Sequence, residues 1–305
     1  MLLEETIHYL APRGGNELMI DATLGEAGHS YAFLSRFPDL SLVGIDADCT
    51  IQQLARKRLA EYGSRARFYN CWSQGFFAAY PAELKRPDTI LADLGISLWH
   101  YEKSGMGFSF SGNEKLDMRL DPSHGISAAE LLARMSEKEI ADILYRNAEE
   151  RHSRRIARAI VQERQRGAIT NAAALAELVT HSVPASYRHG PVHPATKTFQ
   201  ALRIAVNGEL SGLGEFLEGA LNVLEPGGRM GVISFHSLED RIVKQFFKQK
   251  SRDCNCPPEA PVCSCGGRRT VRVMTPKGVT AGEAEIRRNP PSRSARLRVV
   301  EKVKE

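Results

Sequence analysis

The sequence predicts an α/β fold: a parallel sheet covered by helices on both faces, interrupted by an inserted helical domain. In about the first hundred residues, short apolar segments alternate with helical ones, as in repeated βα units. From about Ser104 to Ala195 no segment has a convincing strand pattern, and the βα pattern resumes afterwards. At 305 residues, the chain is long enough for one large core and an inserted lobe.

The first part of the chain predicts four strands separated by connecting segments, two of them helical. Short apolar runs bounded by turn residues mark the strands, and Gly63 ends the second helix. The strands are expected at 18–24, 41–48, 66–72 and 88–95, and the helices at 28–37 and 50–63.

The middle of the chain shows helix starts instead. "SAAE" (127–130) and "SEKE" (136–139) have the spacing of capping boxes. Further helices are expected over Glu150–Arg164 and Asn171–Ser182. We therefore assign residues 104–195 to an inserted helical domain for substrate recognition, and residues 1–103 and 196–305 to the sheet domain.

The βα pattern returns in the last third. A helical segment at 198–224 leads through the turn "PGG" (226–228) into a strand at 229–235. The segments 268–276 and 295–303 predict a final antiparallel pair.

Composition excludes several classes of protein. No apolar run reaches membrane-spanning length, and "MLLEETIHYL" lacks the features of a signal peptide, so we expect a cytoplasmic protein without a membrane partner. Four of the six cysteines cluster late in the chain, unlike a secreted disulfide scaffold. The net charge of +5 is a mild indication of an anionic partner.

The stretch "DATLGEAGHS" (21–30) follows the first strand and forms a glycine turn before a helix. It lacks the GxGxxG pattern of a dinucleotide site and the lysine of a P-loop. Asp21 precedes the turn, and Asp46 lies at the end of the second strand, where an acid can bind both ribose hydroxyls. S-adenosylmethionine fits both acids, because it has a ribose and two cationic groups but no phosphate. An ordinary βα turn with a loop-capping acid is the alternative.

Longer motifs occur in a fixed order along the chain, including "LLEE", "DLGIS", "LDMRLDP", "HPATKTFQALRIAVNGEL", "SFHSLEDR" and "NPPSRSARLR". Together they closely resemble the bacterial small-subunit ribosomal RNA methyltransferase H family over nearly the whole chain. The resemblance implies a class I (Rossmann-like) S-adenosylmethionine-dependent methyltransferase fold with an inserted helical domain. It also implies methylation of N4 of a cytidine in the 16S rRNA decoding centre, cytosine 1402 in conventional rRNA numbering.

The resemblance assigns cofactor contacts position by position. The ribose acid is Asp46, and an aromatic side chain that would stack on adenine is Trp72. The remaining contacts are assigned to the glycine turn, the end of the fourth strand and the loop after it: Ala27, Gly28, His29, Asp93 and His100.

The chain departs from the family pattern at three points. Ala27 stands where the family usually has glycine, which is tolerable unless the backbone needs a positive φ. His100 stands where the family has a glutamine, within "ISLWHYE". The family usually has a short segment before "LLEE", so we expect the natural start to lie upstream.

Asp93 and His236 are the candidate catalytic residues, because each ends a strand at the edge where open α/β sheets bind ligands. Asp93 would accept a hydrogen bond from the amine or hold the methionine moiety, and His236 would orient the base or relay the proton. The alternative for His236 is a structural cap of the following helix. "NPPS" (289–292) resembles a DNA amino-methyltransferase motif in the wrong place, and predicts a turn before the last strand.

Two further groups of residues carry hypotheses about binding. Arg151, Arg155 and Arg158 share one face of a predicted helix, which is either a solvated face or a contact for rRNA phosphates. Four thiols lie in "CNCPPEAPVCSC", where the alternatives are a structural zinc site and a reduced, mobile loop. They are Cys254, Cys256, Cys263 and Cys265.

The leading prediction is therefore an rRNA cytidine N4-methyltransferase that acts on 16S rRNA in the small ribosomal subunit. A ribosome-assembly factor that binds rRNA without turnover is the second hypothesis, and a DNA amino-methyltransferase is the third. Only an enzyme needs Asp46, Asp93 and a cofactor pocket, and the sequence has these residues. Whether the protein forms a homodimer is left open.

Overall fold

The structure, a computed structural model, describes residues 1–110, 112–254, 256 and 267–303. The chain divides into a sheet unit, Met1–Gly95 with Gly212–Glu305, and a helical unit, Ile96–Ser211. The helical unit is longer at both ends than the predicted insert, 104–195. The reason is packing, because Ile96, Phe199 and Leu202 belong to the apolar core of the helical unit. The predicted limits were set by where the strand pattern stops and resumes, and that pattern does not show such contacts.

The sheet unit contains a mixed sheet, as predicted. Its strands in the described residues are β1 (Leu18–Asp21), β2 (Ser41–Asp46), β3 (Ala66–Asn70), β4 (Thr89–Asp93), β5 (Arg229–Ser234), β6 (Val271–Val273), β7 (Val279–Thr280) and β8 (Arg296–Lys302). Their order is β3-β2-β1-β4-β5-β8-β6, with β7 also paired to β8. Strands β1 to β5 pair in parallel, and β8 pairs antiparallel with β5, β6 and β7.

Helices cover both faces of this sheet. They are α1 (Leu3–Leu10), α2 (Gly28–Arg36), α3 (Cys49–Arg58) and α4 (Ser73–Ala78), and, after the helical unit, three more: Leu213–Val223, Ser237–Lys250 and Glu283–Arg288. Neighbouring strand residues pack into opposite layers: Ile20 and Ile90 lie in one apolar cluster, and Met19 and Leu91 in the other. Both faces of the central strands are therefore buried, as their continuous apolar runs predict.

The helical unit has its own apolar core, which includes Leu131, Leu144 and Ile156. Its helices are α5 (Leu98–Glu102), α6 (Ala128–Arg134), α7 (Glu137–Ala148), α8 (Ser153–Arg164), α9 (Ala172–Ser182), α10 (Ala185–Arg188) and α11 (Thr196–Asn207). The helices Leu213–Val223, Ser237–Lys250 and Glu283–Arg288 are accordingly α12, α13 and α14. Both predicted capping boxes are confirmed at the starts of α6 and α7.

The continuous helix predicted over 198–224 is wrong, because the segment forms two helices. Gly208 caps α11 in the left-handed conformation, with φ 62°, and α12 begins only at Leu213. The turn predicted for "NPPS" is confirmed as a 3-10 turn, Pro290–Ser294, directly before β8. No helix in the described ranges is both long enough and apolar enough to span a bilayer.

Candidate functional site

Three carboxylates end neighbouring parallel strands. Asp21 ends β1, Asp46 ends β2 and Asp93 ends β4. In the sheet, β2 and β4 lie on either side of β1, so the strand order reverses at this point. Carboxyl ends of parallel strands share one edge, and a reversal of strand order opens a crevice there for a ligand. The sheet thus places Asp46 and Asp93, both predicted site residues, at one edge with Asp21.

The Asp46 carboxylate fixes the loop that follows β1. Its Oδ2 accepts a hydrogen bond from the Gly25 backbone N–H at 2.8 Å, and its Oδ1 accepts one from the Asp48 N–H at 2.9 Å. A carboxylate has about four acceptor positions, so it can accept both backbone donors and ligand hydroxyls. Asp46 is half-buried, at the position expected for a ribose contact.

Ala27 adopts the conformation that favours glycine. It precedes α2 with φ 60° and ψ 35°, and its side chain is fully buried. An alanine was expected to be tolerable here unless the backbone needs a positive φ. The structure shows that the backbone does have a positive φ at Ala27. At Gly28, the first residue of α2, no atom beyond its chain neighbours and the backbone of its own helix lies within 4 Å of where a Cβ would be. The turn is thus strained at Ala27 and open at Gly28, so a ligand can approach its backbone.

Asp21 is a buried acid at the end of β1, directly before the loop. Its Oδ2 accepts a hydrogen bond from Ser30 Oγ at 2.6 Å, within α2. Burial raises the pKa of this carboxyl from 3.8 to about 7. A nearby cation would reverse that effect, so Asp21 suits a positively charged ligand group.

Asp93 and His29 form a close pair beside Asp21. His29 Nδ1 lies 3.6 Å from Asp93 Oδ2, and His29 Nε2 donates to the Met1 carbonyl at 2.9 Å. Burial lowers the pKa of His29 to about 3, so the ring is neutral, and burial raises the pKa of Asp93 to about 7. Asp93 Oδ1 is buried and has no hydrogen-bond partner in the described ranges. This oxygen is the free acceptor of the site.

Trp72 follows β3 on the far side of Asp46. The residue before it, Cys71, donates its backbone N–H to the Asp46 carbonyl at 3.1 Å, so β3 brings the indole next to the ribose acid. Trp72 is half-buried and precedes α4, whose Ser73 hydroxyl donates to the Ala22 carbonyl. A half-exposed indole at this point can stack on a planar base, and that contact remains a prediction.

His236 caps the N-terminus of α13, as the structural alternative for this residue predicts. Its Nδ1 accepts the Glu239 backbone N–H at 3.4 Å, and its Nε2 lies 3.1 Å from Glu239 Oε1. Glu239 Oε2 in turn accepts the His236 backbone N–H at 3.4 Å, which completes a capping box, and it also accepts the Phe235 N–H at 2.9 Å. Only Nδ1 is engaged in the cap, because the buried Nε2 has no hydrogen-bond partner among the described residues. A catalytic role for His236 stays a prediction.

Residues predicted on the helical unit are found in different settings. His100 is buried, with its ring edge-on to Phe108 at 5.4 Å, and its assignment as a cofactor contact stays a prediction. Arg155 and Arg158 are exposed on α8, and Arg158 lies 3.5 Å from Glu137. Arg151 precedes α8 and lies over the Tyr187 ring, because the helix starts at Ser153 rather than Glu150. The prediction that all three arginines share one helix face is therefore wrong for Arg151.

The four-cysteine cluster is only partly described. Cys263 and Cys265 lie outside the described residues, and Cys254 Sγ accepts the Cys256 backbone N–H at 3.4 Å. Among the described residues, no group of three or more His, Cys, Asp or Glu side chains could hold a metal ion. The zinc hypothesis stays a prediction.

Sequence reasoning missed two hydroxyls that organise the site. Thr23 Oγ1 accepts the Asp93 backbone N–H at 2.6 Å and so ties the loop after β1 to the end of β4. Ser30 holds Asp21, as described above. Both lie within "DATLGEAGHS", close to the end of a predicted strand. Hydroxyl side chains at such a position often bond to nearby backbone or side-chain groups, so the sequence could have indicated them.

The residues present fit S-adenosylmethionine. The two carboxyls with raised pKa values, Asp21 and Asp93, suit its cationic groups, and the Asp46 carboxylate suits its ribose hydroxyls. The space at Gly28 and the free Asp93 Oδ1 leave room and an acceptor at the same edge. A pyrophosphate would face three carboxylates and fits poorly.

Comparison with known proteins agrees with this site. A family model described as the MraW methylase family matches residues 1–303. Among curated relatives, the ribosomal RNA small subunit methyltransferase H of Treponema denticola is 54% identical, covering 99% of this chain and 96% of that protein. Proteins of the same name from Syntrophobacter fumaroxidans and Treponema pallidum are 45% and 41% identical, covering 99% and 95% of this chain and 95% and 85% of theirs. The chain therefore belongs to the MraW methylase family.

Proposed function

We propose that this protein transfers a methyl group from S-adenosylmethionine to N4 of a cytidine in the 16S rRNA decoding centre. The target is cytosine 1402, and the products are N4-methylcytidine and S-adenosylhomocysteine. The observation that carries the proposal is the group of Asp21, Asp46 and Asp93 at one sheet edge, in a chain 54% identical to a relative named for this activity on small-subunit rRNA. Such a substrate implies action in the cytoplasm.

The cofactor is held by the loop after β1 and its neighbours. Asp46 binds the ribose hydroxyls, Trp72 stacks on the adenine, and the turn at Ala27, Gly28 and His29 leaves backbone exposed to the ligand. Asp21 balances the positive charge of the methionine moiety. S-adenosylmethionine supplies an electrophilic methyl group on a sulfonium and leaves as S-adenosylhomocysteine.

Asp93 is the proton acceptor of the proposed reaction. The N4 lone pair is delocalised into the cytosine ring, so the amine must become more tetrahedral and lose a proton as it gains the methyl group. Asp93 Oδ1 is free to accept the amine hydrogen bond and then the proton. A carboxyl with a pKa of about 7 is well matched to this role at neutral pH. His29 Nδ1 lies 3.6 Å from the other oxygen and does not donate to it, because the proton of the neutral ring is on Nε2.

The target nucleotide must leave its stack to react. A paired base cannot present its exocyclic nitrogen to a methyl donor in a protein crevice, so the cytidine is splayed out of the RNA. Exposed arginines on the helical unit, Arg155 among them, bind phosphates of the substrate. The substrate is the small ribosomal subunit or its rRNA.

Single-turnover methylation of small-subunit particles that lack the modification tests the proposal. With saturating S-adenosylmethionine, Asp93→Asn is expected to lower the rate by about 10²–10⁴-fold, because general base catalysis is lost. Asp46→Ala is expected to weaken cofactor binding by about 1.5–3 kcal/mol in calorimetry. Mass mapping of the rRNA locates the product.

The exposed acid Asp39 provides the control, since Asp39→Asn changes the same charge away from the sheet edge that holds the site. RNA binding without any methyl transfer by the wild-type protein would support the assembly-factor hypothesis instead. Wild-type rates for Asp93→Asn would remove Asp93 from the chemistry and leave the enzyme assignment standing.

A further inference from the structure

Five cations near the C-terminus form a surface that the proposed function does not use. They are Lys277, Arg287, Arg288, Arg293 and Arg296, named here the C-terminal basic rim. The first four are exposed, and the side chain of Arg296 is 42% exposed. They lie on the turn before β7, on α14, on the 3-10 turn and at the start of β8, elements that pack against one another.

The charges of this rim are little compensated. Lys277, Arg287 and Arg293 have no ion pair or side-chain hydrogen bond within the described part of the chain, and Arg288 donates only to the backbone carbonyl of Ala284. Arg296 lies 3.8 Å from Asp240. Asp240 is already held by Arg298 at 2.6 and 3.0 Å, so it neutralises Arg296 weakly.

At the opposite edge of the same sheet, arginine charges are neutralised by an acid. There Arg13, Arg229 and Arg272 all contact the carboxylate of Glu301, at the other end of β8. Those three side chains stabilise the fold and leave less charge for a ligand. The contrast shows that the rim cations are not needed to neutralise acids of the fold.

The rim lies beside the site. Because β8 runs antiparallel to β5, its first residue, Arg296, pairs with Ser234, the last residue of β5. In the next strand, Asp93 pairs with Ile233. Strands are about 4.8 Å apart, so the start of β8 lies roughly 10 Å from the end of β4.

A second set of contacts connects α14 to the same place. Glu285 Oε1 accepts the Leu2 backbone N–H at 2.7 Å, and the carbonyl of Met1 accepts from His29 Nε2. His29 faces Asp93. Glu285 is thus linked to Asp93 through three contacts, and Arg287 and Arg288 follow Glu285 within three residues on α14.

We propose that the C-terminal basic rim binds phosphates of the RNA strand that carries the target nucleotide, and so positions that nucleotide at Asp93. The inference rests on the proposed function. Polyanion binding needs exposed, uncompensated cations in a row, and a strand whose base is splayed into the site must pass within a few ångströms of its rim. Arginine also suits phosphate through its planar donor fork.

The test compares two double variants with the same change of charge. Arg287→Gln/Arg293→Gln removes rim cations, whereas Lys57→Gln/Lys248→Gln removes exposed cations of α3 and α13 near the opposite edge of the sheet. The probe is a synthetic single-stranded RNA with the decoding-region sequence, titrated at several salt concentrations. Particle methylation and S-adenosylmethionine affinity are measured on the same samples.

We expect the rim variant to bind RNA about tenfold more weakly, with a salt slope smaller by about 1.4, since each phosphate contact contributes about 0.7 for single strands. Its KM for particles rises, while its single-turnover rate at saturating particles and its cofactor affinity stay at wild-type values. The Lys57/Lys248 variant behaves as wild type. Arg287→Lys/Arg293→Lys restores most of the binding.

Equal RNA affinity and salt slope in the rim and control variants would overturn the inference while the wild-type protein still methylates. A wild-type protein that neither binds nor methylates the RNA would instead count against the proposed function. A rim variant with lost cofactor binding would show damage to the fold, and the lysine variant would then decide.

Discussion

At the scale of single residues, the site depends on three acids that differ in surroundings. Asp46 accepts two backbone N–H groups, whereas desolvation raises the pKa values of the buried Asp21 and the half-buried Asp93. Burial therefore sets their ordinary state: Asp46 is suited to neutral hydroxyls, and the other two to cations or protons.

Asp21 predicts a pH dependence of stability. Its folded-state pKa of about 7 exceeds the unfolded value, so between about pH 4 and 7 the folded protein retains a proton that the unfolded chain loses. The unfolding free energy of the ligand-free protein should fall across that window and level off above it. Asp21→Asn should remove the contribution of this carboxyl to the slope, to which the shifted pKa values of Asp93 and His29 also contribute. The variant should be more stable than wild type at pH 8 by a few kcal/mol, measured by denaturant titration.

The control for this prediction is Asp39→Asn, which changes an exposed acid and should leave the pH slope unchanged. An Asp21→Asn protein with the wild-type slope would show that Asp21 is ionised in the folded state at neutral pH.

The positive φ of Ala27 predicts that the fold tolerates glycine at this position. Relief of the left-handed conformation stabilises by about 1–2 kcal/mol, which offsets the loss of a buried methyl group and the greater freedom of the unfolded chain. Ala27→Gly should therefore change stability by less than about 1 kcal/mol. Ala32→Gly, inside the same helix at ordinary dihedral angles, should cost about 1 kcal/mol or more.

Denaturant titration of these two variants provides the measurement. Ala27→Val gives the opposite extreme, because a β-branched side chain at this φ is strongly disfavoured. If Ala27→Gly cost as much as Ala32→Gly, the turn would not hold the positive φ in solution.

At the scale of elements, His236 has two candidate roles, as the cap of α13 and as a catalytic residue, and they predict different effects of mutation. His236→Ala should destabilise the protein by about 1 kcal/mol, because the Glu239 N–H loses its acceptor, and His236→Asn should recover most of this. The proposed catalytic role makes a different prediction, namely that single-turnover methylation falls in both variants. Thermal unfolding and methylation rates, measured together, distinguish the two.

Ser136→Ala is the matched control, since Ser136 caps α7 in another capping box within the helical unit. It should lose similar stability without a change in rate. A His236→Asn enzyme with wild-type stability and wild-type rate would leave His236 as a cap alone.

At the scale of the whole molecule, the sheet unit is assembled from two distant parts of the chain, Met1–Gly95 and Gly212–Glu305. The first part supplies the three acids and the glycine turn. The second part returns as β5 and the antiparallel β8, which places the C-terminal basic rim at the edge that holds those acids. The sheet therefore has a basic rim beside an acidic crevice.

The sequence by itself determined the parallel sheet, the inserted helical segment and the positions of Asp46 and Asp93. Strand periodicity is local, and the carboxyl ends of parallel strands always share an edge, so a residue's place along the chain decides its place in the site. The capping boxes of α6 and α7 were readable for the same reason, because both partners lie within one turn.

Only the tertiary structure decided the sign of φ at Ala27, the capping of α13 by His236 Nδ1, the break at Gly208 and the outer limits of the helical unit. It also brought Arg287 and Arg293 next to a site nearly two hundred residues away in sequence. These features depend on contacts between distant segments or on the backbone geometry at one residue, and neither leaves a periodic pattern in the sequence.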